Sequence, residues 1–250
     1  MRIFCDTTKV KEQQPIMAKA NYDLIILIIA SDDREVYKAA QAVWRTYMHS
    51  HPRIKSFFVR GQYDNPAADD LCFPEIKETW EPGILEKTVA AFRHINSHYD
   101  YKFVLRTNLS SFFVLDRVLK LLESFPENGL YAGHVVEDFY ASGCGFFMSA
   151  DVVARVVEHA GEMNMSEYDD KEIGYLIQRL GYELISTCLF IFDSPVYDKT
   201  DQVYQQQLNI VKHAACIHHV RVKSTGCRLF VDVPVFQDLL RLFYDNIKCK

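Results

Sequence analysis

The sequence of residues 101–117 predicts an apolar strand that ends in small polar residues just before a helix begins. The run at 103–105 is typical of a strand, whereas leucine and valine recur at helical spacing from position 115. Ligands of open α/β sheets bind outside the carboxyl ends of the strands. The polar residues at 106–111 are therefore predicted to face a cleft, although an ordinary strand, turn and helix would show the same pattern.

Apolar runs and amphipathic helices alternate along most of the chain. This alternation predicts an α/β fold with a mainly parallel central sheet sandwiched by helices. Residues 1–250 are expected to form a single domain, with 1–21 as a leader or irregular segment. The predicted strands are 24–30, 54–59, 103–105, 130–136 and 182–192, and the predicted helices include 82–97, 150–160, 171–180 and 233–247.

The charge and the cysteine content of the chain indicate which binding partners and which compartment to expect. The net charge is -5 and the isoelectric point is near 6.0, which gives no general attraction to nucleic acid or to anionic membranes. Seven scattered cysteines form no Cys-x-x-Cys pair, and this favours a reducing compartment over a zinc cluster. The amino terminus lacks the apolar stretch of a signal peptide. We therefore expect a soluble, cytoplasmic protein without stable membrane insertion and without a nucleic-acid partner.

Three widespread motifs are absent from the sequence. There is no Gly-x-Gly-x-x-Gly after the first strand and no Gly-x-x-x-x-Gly-Lys-Ser/Thr, which argues against a dinucleotide enzyme and a P-loop nucleotidase. There is also no Gly-x-Ser-x-Gly elbow, which argues against an α/β-hydrolase.

Several polar or glycine positions at element ends are candidates for a site, each with a structural alternative. Ser31, Asp32 and Arg34 follow the first strand, where they could contact a nucleotide or simply cap the next helix. Gly143 and Gly145 would let the backbone approach a ligand closely, or would serve a tight turn.

Two further clusters carry titratable groups. Asp169 and Asp170 precede a helix, where paired carboxylates are either catalytic or caps favoured by the helix dipole. His218 and His219 lie in a short polar stretch, where neutral imidazole could bind Mn²⁺ or Zn²⁺ or could be surface decoration.

Seven stretches, taken in order, resemble motifs of one enzyme family. Together they resemble the GT-A glycosyltransferases, most closely the inverting fringe and β-1,3-galactosyltransferase group. The stretches are Ala-Val-Trp-Arg-Thr-Tyr at 42–47, Phe-Phe-Val-Arg-Gly at 57–61, Glu-Thr-Trp-Glu-Pro-Gly-Ile-Leu-Glu-Lys-Thr at 78–88, Arg-Thr-Asn-Leu-Ser-Ser-Phe at 106–112, Tyr-Ala-Ser-Gly-Cys-Gly-Phe-Phe-Met-Ser at 140–149, Asp-Asp-Lys-Glu-Ile-Gly at 169–174 and Ile-His-His-Val at 217–220.

The resemblance implies a GT-A-like domain and a displacement at the anomeric carbon with inversion. A carboxylate removes the proton of the acceptor hydroxyl while the nucleoside diphosphate leaves; Asp170 is implied as this base, with Asp169 as the second candidate. The implied partners are a UDP-sugar, with xylose or galactose as the donor sugar, and a glycan acceptor. The implied donor-binding residues are Ser31, Asp32, Arg34, Arg60, Lys87, Arg106, Asn108 and Ser110, and the implied acceptor-binding residues are Gly143 and Gly145.

The central motif departs from the family pattern. The family has Lys-Thr-Asp-Asp-Asp there and uses the carboxylates to hold Mn²⁺ against the diphosphate, whereas Asn108 and Ser110 replace two of them in this chain. Because hard divalent ions prefer anionic oxygens, a metal would depend on His218, His219 and Ser110.

Three consequences of this departure remain open at the level of sequence. Mn²⁺ or another divalent metal binds weakly, or the enzyme is metal-independent and neutralises the diphosphate with Arg106, Lys87 or Arg221, or catalysis is lost and a sugar-nucleotide or glycan-binding module remains. The altered motif resembles that of cytosolic glycosyltransferases of large DNA viruses such as the chlorella viruses, which implies the host cytoplasm as the location.

Overall fold

The two apolar runs at 24–29 and 103–105 lie side by side at the centre of a seven-stranded sheet. They belong to β1 (Ala20–Ile29) and β4 (Tyr99–Asn108), which pair in parallel in a computed structural model that describes residues 19–245. The other strands of this sheet are β2 (Ile54–Arg60), β3 (Asp70–Cys72), β6 (Tyr131–Val136), β7 (Tyr140–Ser149) and β8 (Leu184–Ser186).

The strand order is β3-β2-β1-β4-β7-β6-β8. All pairs are parallel except those of β7, which runs antiparallel to both β4 and β6. The prediction of an α/β fold with a mainly parallel central sheet between helices is confirmed. The carboxyl ends of β1 and β4 lie at the same edge, because the two strands are parallel neighbours.

Helices cover both faces of the sheet, which explains the unbroken apolar run in β1. Leu24, Ile26 and Ile28 belong to the core on one face, whereas Ile25 and Leu27 belong to the core on the other; a strand buried on both faces needs apolar side chains at every position. The helices are α1 (Glu35–Tyr47), α2 (Gly83–His98), α3 (Leu115–Leu122), α4 (Ala150–Glu158), α5 (Asp169–Arg179), α6 (Gln202–His213) and α7 (Arg228–Tyr244).

A second, three-stranded sheet adjoins the carboxyl end of β4. It contains β5 (Ser111–Phe113), β9 (Phe190–Asp193) and β10 (His219–Lys223), in the order β5-β10-β9. The hydroxyl of Tyr244 donates to the Phe113 carbonyl at 2.9 Å and accepts from the Leu115 amide at 2.7 Å. These bonds tie the small sheet to the last described helix and fix the turn that follows β4.

Several predicted boundaries need correction. The predicted strand 182–192 is two short strands, β8 and β9, which belong to different sheets. The last helix begins at Arg228, ahead of the predicted start at 233, and contains Pro234. β1 begins at Ala20, inside the predicted leader; residues 1–18 of that leader and 246–247 of the predicted last helix lie outside the described residues. Within residues 19–245, no helix combines the length and apolarity needed to cross a bilayer.

Candidate active site

A cleft of about 590 Å³ opens at the carboxyl ends of β1 and β4. Its walls also include the amino-terminal ends of α2 and α5 and one residue of β10. The location agrees with the general rule for ligand sites in open α/β sheets. The predicted site residues that line it are Ser31, Arg34, Lys87, Arg106, Asn108, Ser110, Gly143, Asp169 and Asp170.

The two neighbouring carboxylates of α5 differ in environment. Asp169 is buried and forms an ion pair with Arg106, which is itself buried on β4. Burial raises the pKa of the Asp169 carboxyl, and the positive charge of Arg106 opposes that rise. Asp170 is only partly buried and lines the cleft. Of the pair, Asp170 is therefore the carboxylate that has no ion-pair partner among residues 19–245 and is open to a ligand.

Backbone amides fix the orientation of Asp170. Its Oδ2 accepts from the Gly143 amide at 2.6 Å, and its Oδ1 accepts from the Lys171 amide at 2.9 Å. A carboxylate oxygen has two acceptor sites, so each oxygen keeps capacity for a further hydrogen. Arg106 donates to the Gly143 carbonyl and so links the same residue to the Asp169 ion pair. The network joins β4, β7 and α5 behind one cleft-facing carboxylate.

The glycines of β7 are required by close packing. A Cβ atom at Gly143 would lie 2.8 Å from Arg106 Nη1 and 3.0 Å from Asp170 Oδ2, so a side chain there would disrupt the network. Gly143 also lines the cleft. Gly145 does not: a Cβ atom there would lie 2.6 Å from Phe113 Cζ and 3.1 Å from His219 Cε1. Gly145 therefore lies where the two sheets contact each other.

The turn at Asn108 is held by its own side chain. Asn108 Oδ1 accepts from the Ser110 amide at 2.9 Å, and Asn108 Nδ2 donates to the Gly143 carbonyl at 3.0 Å. Both ends of the amide are thus engaged within the protein, which suits a structural turn better than a metal ligand. Ser110 lines the cleft beside it.

The histidines lie away from the cleft. His219 is buried, stacks on Phe113 with ring centroids 4.2 Å apart, and its Nε2 lies 3.1 Å from Ser111 Oγ. The Ser111 hydroxyl itself donates to the Cys144 carbonyl at 2.7 Å, so His219 Nε2 is the donor to Ser111. His218 is buried with its Nδ1 near the Cys216 carbonyl, and neither histidine lines the cleft.

The donor set does not fit a tightly held divalent ion. Across residues 19–245, no group of three or more His, Cys, Asp or Glu side chains is arranged to hold a metal. Ser110 alone of the predicted ligands lines the cleft, and a neutral hydroxyl is a poor ligand for a hard ion without carboxylates.

Two predicted donor-binding residues form a support beneath the loop after β1. Arg60 is buried and donates to Asp70 at 2.9 Å and to Asp32 at 3.0 Å. Asp32 also accepts from Gln41 and from Tyr63; burial opposes ionisation, but these hydrogen bonds lower the pKa of Asp32. Neither Arg60 nor Asp32 lines the cleft. They hold the loop that carries Ser31 and Arg34.

Lys87 reaches the cleft from α2 with its charge already partnered. Its Nζ donates to the Ala30 carbonyl at 2.9 Å and to Glu78 at 2.6 Å. Burial lowers the pKa of Lys87, and the charge of Glu78 opposes that effect. Lys87 thus ties the end of β1 to the loop that precedes α2.

Arg221 on β10 also lines the cleft; the sequence named it as a counter-charge for the diphosphate but did not place it among the donor-binding residues. Arg106 and Arg228 line the cleft but pair with Asp169 and Asp232, whereas Arg221 is half-buried and has no ion-pair partner within the described part of the chain. The sequence indicated Arg221 as a candidate, because this residue directly follows the His-His-Val motif. Its position at the cleft depends on the antiparallel pairing of Arg221 with Ser111.

The burial of His219 predicts a pH-dependent stability. Burial lowers the pKa of His219 well below its usual range, while the unfolded chain binds a proton near pH 6.5. Between these two values the unfolded state holds more protons, so stability rises with pH and falls as the pH drops below about 6.5. We expect His219→Gln to reduce the slope of unfolding free energy against pH by up to about 1.4 kcal/mol per pH unit.

Urea unfolding between about pH 5 and pH 7 measures this slope. His213→Gln is the matched control, because His213 is exposed at the end of α6. An unchanged slope in His219→Gln, or an equal change in the control, would show that His219 does not carry the effect.

Comparison with known proteins gives a similarity of fold but no similarity of sequence. No protein-family profile matches the chain, and no curated protein sequence matches it. Among solved structures, the fold is similar to one described as a glycosyltransferase involved in the glycosylation of the major capsid of PBCV-1. The identity is 10%, the alignment covers 86% of this chain and 98% of that chain, and the TM-score is 0.48. The function proposed below rests on the sequence motifs and on the geometry of the cleft.

Proposed function

We propose that the chain is an inverting glycosyltransferase that moves a sugar from a UDP-sugar to a hydroxyl of a glycan. One observation carries the proposal: a single cleft combines a cation-free carboxylate, Asp170, with an arginine, Arg221, that no described carboxylate neutralises. A base for the acceptor and a positive charge for the leaving diphosphate are the two requirements of this reaction. By the sequence resemblance, the chain falls in the fringe and β-1,3-galactosyltransferase group, with xylose or galactose as the donor sugar.

Asp170 is the general base in this proposal. Asp169 is unsuited to the role because it is buried and bound to Arg106, whereas Asp170 is held by two backbone amides and still faces the cleft. Asp170 takes the proton of the acceptor hydroxyl, and the acceptor oxygen forms a bond to the anomeric carbon. The bond from that carbon to the β-phosphate oxygen breaks, and its electron pair leaves with UDP.

The leaving diphosphate is neutralised by arginine in this proposal rather than by a tightly bound metal. Arg221 is the principal group, and Arg34, whose side chain is 70% exposed, lies at the same cleft. Arginine binds phosphate oxygens with two parallel hydrogen bonds. Lys87 contributes less, because Glu78 already pairs with its charge.

We expect Arg221→Met to weaken UDP binding by about tenfold to a hundredfold, because a hydrogen bond to a charged group contributes roughly 1.5–3 kcal/mol. Calorimetry with UDP in the presence of EDTA measures the change. Arg155→Met is the matched control, since Arg155 is an exposed arginine of α4 outside the cleft. Equal affinities of Arg221→Met and the unmodified protein would remove Arg221 from the diphosphate site.

The experiment that tests the function is a panel of UDP-sugars and GDP-sugars, each assayed for hydrolysis with Mn²⁺ and with EDTA. We expect slow hydrolysis of one UDP-sugar, with the rate in EDTA within a few-fold of the rate in Mn²⁺. A strict requirement for Mn²⁺ would refute the role of arginine as the main counter-charge. Absence of hydrolysis for every donor would refute the transferase.

A second candidate is a sugar-nucleotide or glycan-binding module without catalysis. The observation that favours it is the turn at Asn108, whose Oδ1 and Nδ2 each form a hydrogen bond within the protein at the position where the family carries a metal-binding carboxylate. The same panel separates the two, because a module would be stabilised against heat by a nucleotide sugar or a glycan and would hydrolyse no donor.

A further inference from the structure

Two exposed aromatic side chains line the cleft. Trp80 is 67% exposed and Tyr168 is 52% exposed, although both are large apolar groups. Leaving aromatic surface in water forgoes the stabilisation that burial would give. Such residues at a concave site are therefore candidates for stacking on a ligand.

The loop that carries Trp80 is held in place at several points. Glu78 accepts from the Gly61 amide and from Lys87 Nζ, and Thr79 Oγ1 accepts from the Gly83 amide at 3.1 Å. The indole is thus displayed by an anchored backbone, and its exposure does not come from a loose loop.

Trp80 and Tyr168 line the same cleft as the proposed base. Trp80 lies three residues before the first residue of α2, and Tyr168 is the residue before α5. The two helices pack together near these ends, where Thr88 Oγ1 lies 3.4 Å from Asp169 Oδ2. Asp170 follows in the first turn of α5, two residues after Tyr168, so the carboxylate that takes the acceptor proton lines the same cleft as the aromatic pair.

We propose that Trp80 and Tyr168 form the acceptor subsite and bind a pyranose ring of the glycan by stacking. This inference rests on the proposed function. The axial C–H face of a pyranose is apolar and matches an aromatic ring, while its hydroxyl rim needs polar partners such as Asp170. The nucleoside end of the donor is then left to the part of the cleft lined by Ser31 and Arg34, which follow β1.

Intrinsic fluorescence tests the subsite directly, because the chain has only two tryptophans and the other, Trp44, is buried. The probes are UDP alone and a panel of methyl pyranosides of xylose, galactose, glucose and N-acetylglucosamine. The Trp80 signal is the ligand-dependent emission change of the unmodified protein that is lost in Trp80→Phe. We expect at least one pyranoside to give this signal and UDP alone to give none.

Kinetics with the best pyranoside as acceptor provides the second readout. We expect Trp80→Ala and Tyr168→Ala each to raise the acceptor KM by about tenfold, with Trp80→Phe recovering most of the loss. Val203→Ala is the control, because Val203 is an exposed apolar residue of α6 outside the cleft.

Two results would overturn the subsite: a Trp80 signal with UDP and none with any pyranoside, or no Trp80 signal with either. Donor hydrolysis by the unmodified protein is measured in parallel. It distinguishes failure of the acceptor subsite from failure of the proposed function. If hydrolysis is present and the pyranoside signal is absent, the subsite alone is wrong; if hydrolysis is absent for every donor, the proposed function fails whatever the fluorescence shows.

Discussion

Replacing Asp170 with asparagine is expected to lower donor turnover by at least about 10²-fold, the usual range for loss of a general base. The amide oxygen of asparagine can still accept from the Gly143 amide, whereas the bond that the Lys171 amide donates to Oδ1 is lost. The amide cannot take up the acceptor proton at neutral pH, and this is the lost step. Steady-state rates of UDP release, with saturating donor, measure the change in kcat.

Asp116→Asn is the matched control for this substitution. Asp116 is exposed and is the second residue of α3, just as Asp170 is the second residue of α5, so both changes remove one negative charge near a helix amino terminus. We expect the control to keep the rate of the unmodified protein. A large loss of UDP affinity in Asp170→Asn with unchanged kcat would move Asp170 from the base role to the donor site.

Replacing Arg106 with leucine is expected to lower the unfolding free energy by about 3–5 kcal/mol, because it leaves the Asp169 carboxylate buried without its cation. Arg106 and Asp169 are both buried and form a direct ion pair. Arg106 also donates to the Gly143 carbonyl, so the change removes a second bond behind the cleft. Urea unfolding at neutral pH measures the loss.

Lys102→Leu on the same strand is the control, since Lys102 pairs with Glu127 in an exposed ion pair. Exposed pairs contribute about 0–1 kcal/mol, so the control should remain near the stability of the unmodified protein. The double variant Arg106→Leu/Asp169→Leu should recover at least half of the loss, because no buried charge remains. A loss of under about 1 kcal/mol in Arg106→Leu would contradict the account of the buried pair.

The sequence was informative where function depends on local pattern. The apolar run in β1 predicted a central strand covered on both faces, and its polar end at Ser31 and Arg34 lies at the cleft. The acidic start of α5 likewise predicted Asp169 and Asp170 at one site. These features can be predicted because strand ends and helix starts are set by neighbouring residues.

Features that depend on contacts between residues far apart in the sequence were not predictable from one sequence. The ion pair with Arg106 gives Asp169 an environment different from that of Asp170, and its two residues lie 63 positions apart in the sequence. Residue spacing likewise does not reveal that β10 pairs antiparallel with β5 and brings Arg221 to the cleft while His219 stacks on Phe113. Side-chain alternation along a strand places neighbours such as His218 and His219 on different faces, and only the pairing decides which face meets the site.

Proton NMR of the first sugar released from an α-linked UDP-sugar, recorded in EDTA before mutarotation, tests the central claim most directly. Water replaces the glycan as acceptor in this assay, and Asp170 would take its proton. The account predicts that UDP and the β-anomer appear together, because direct displacement inverts the anomeric carbon. Release of the α-anomer first, or no release of sugar from any donor, would contradict it.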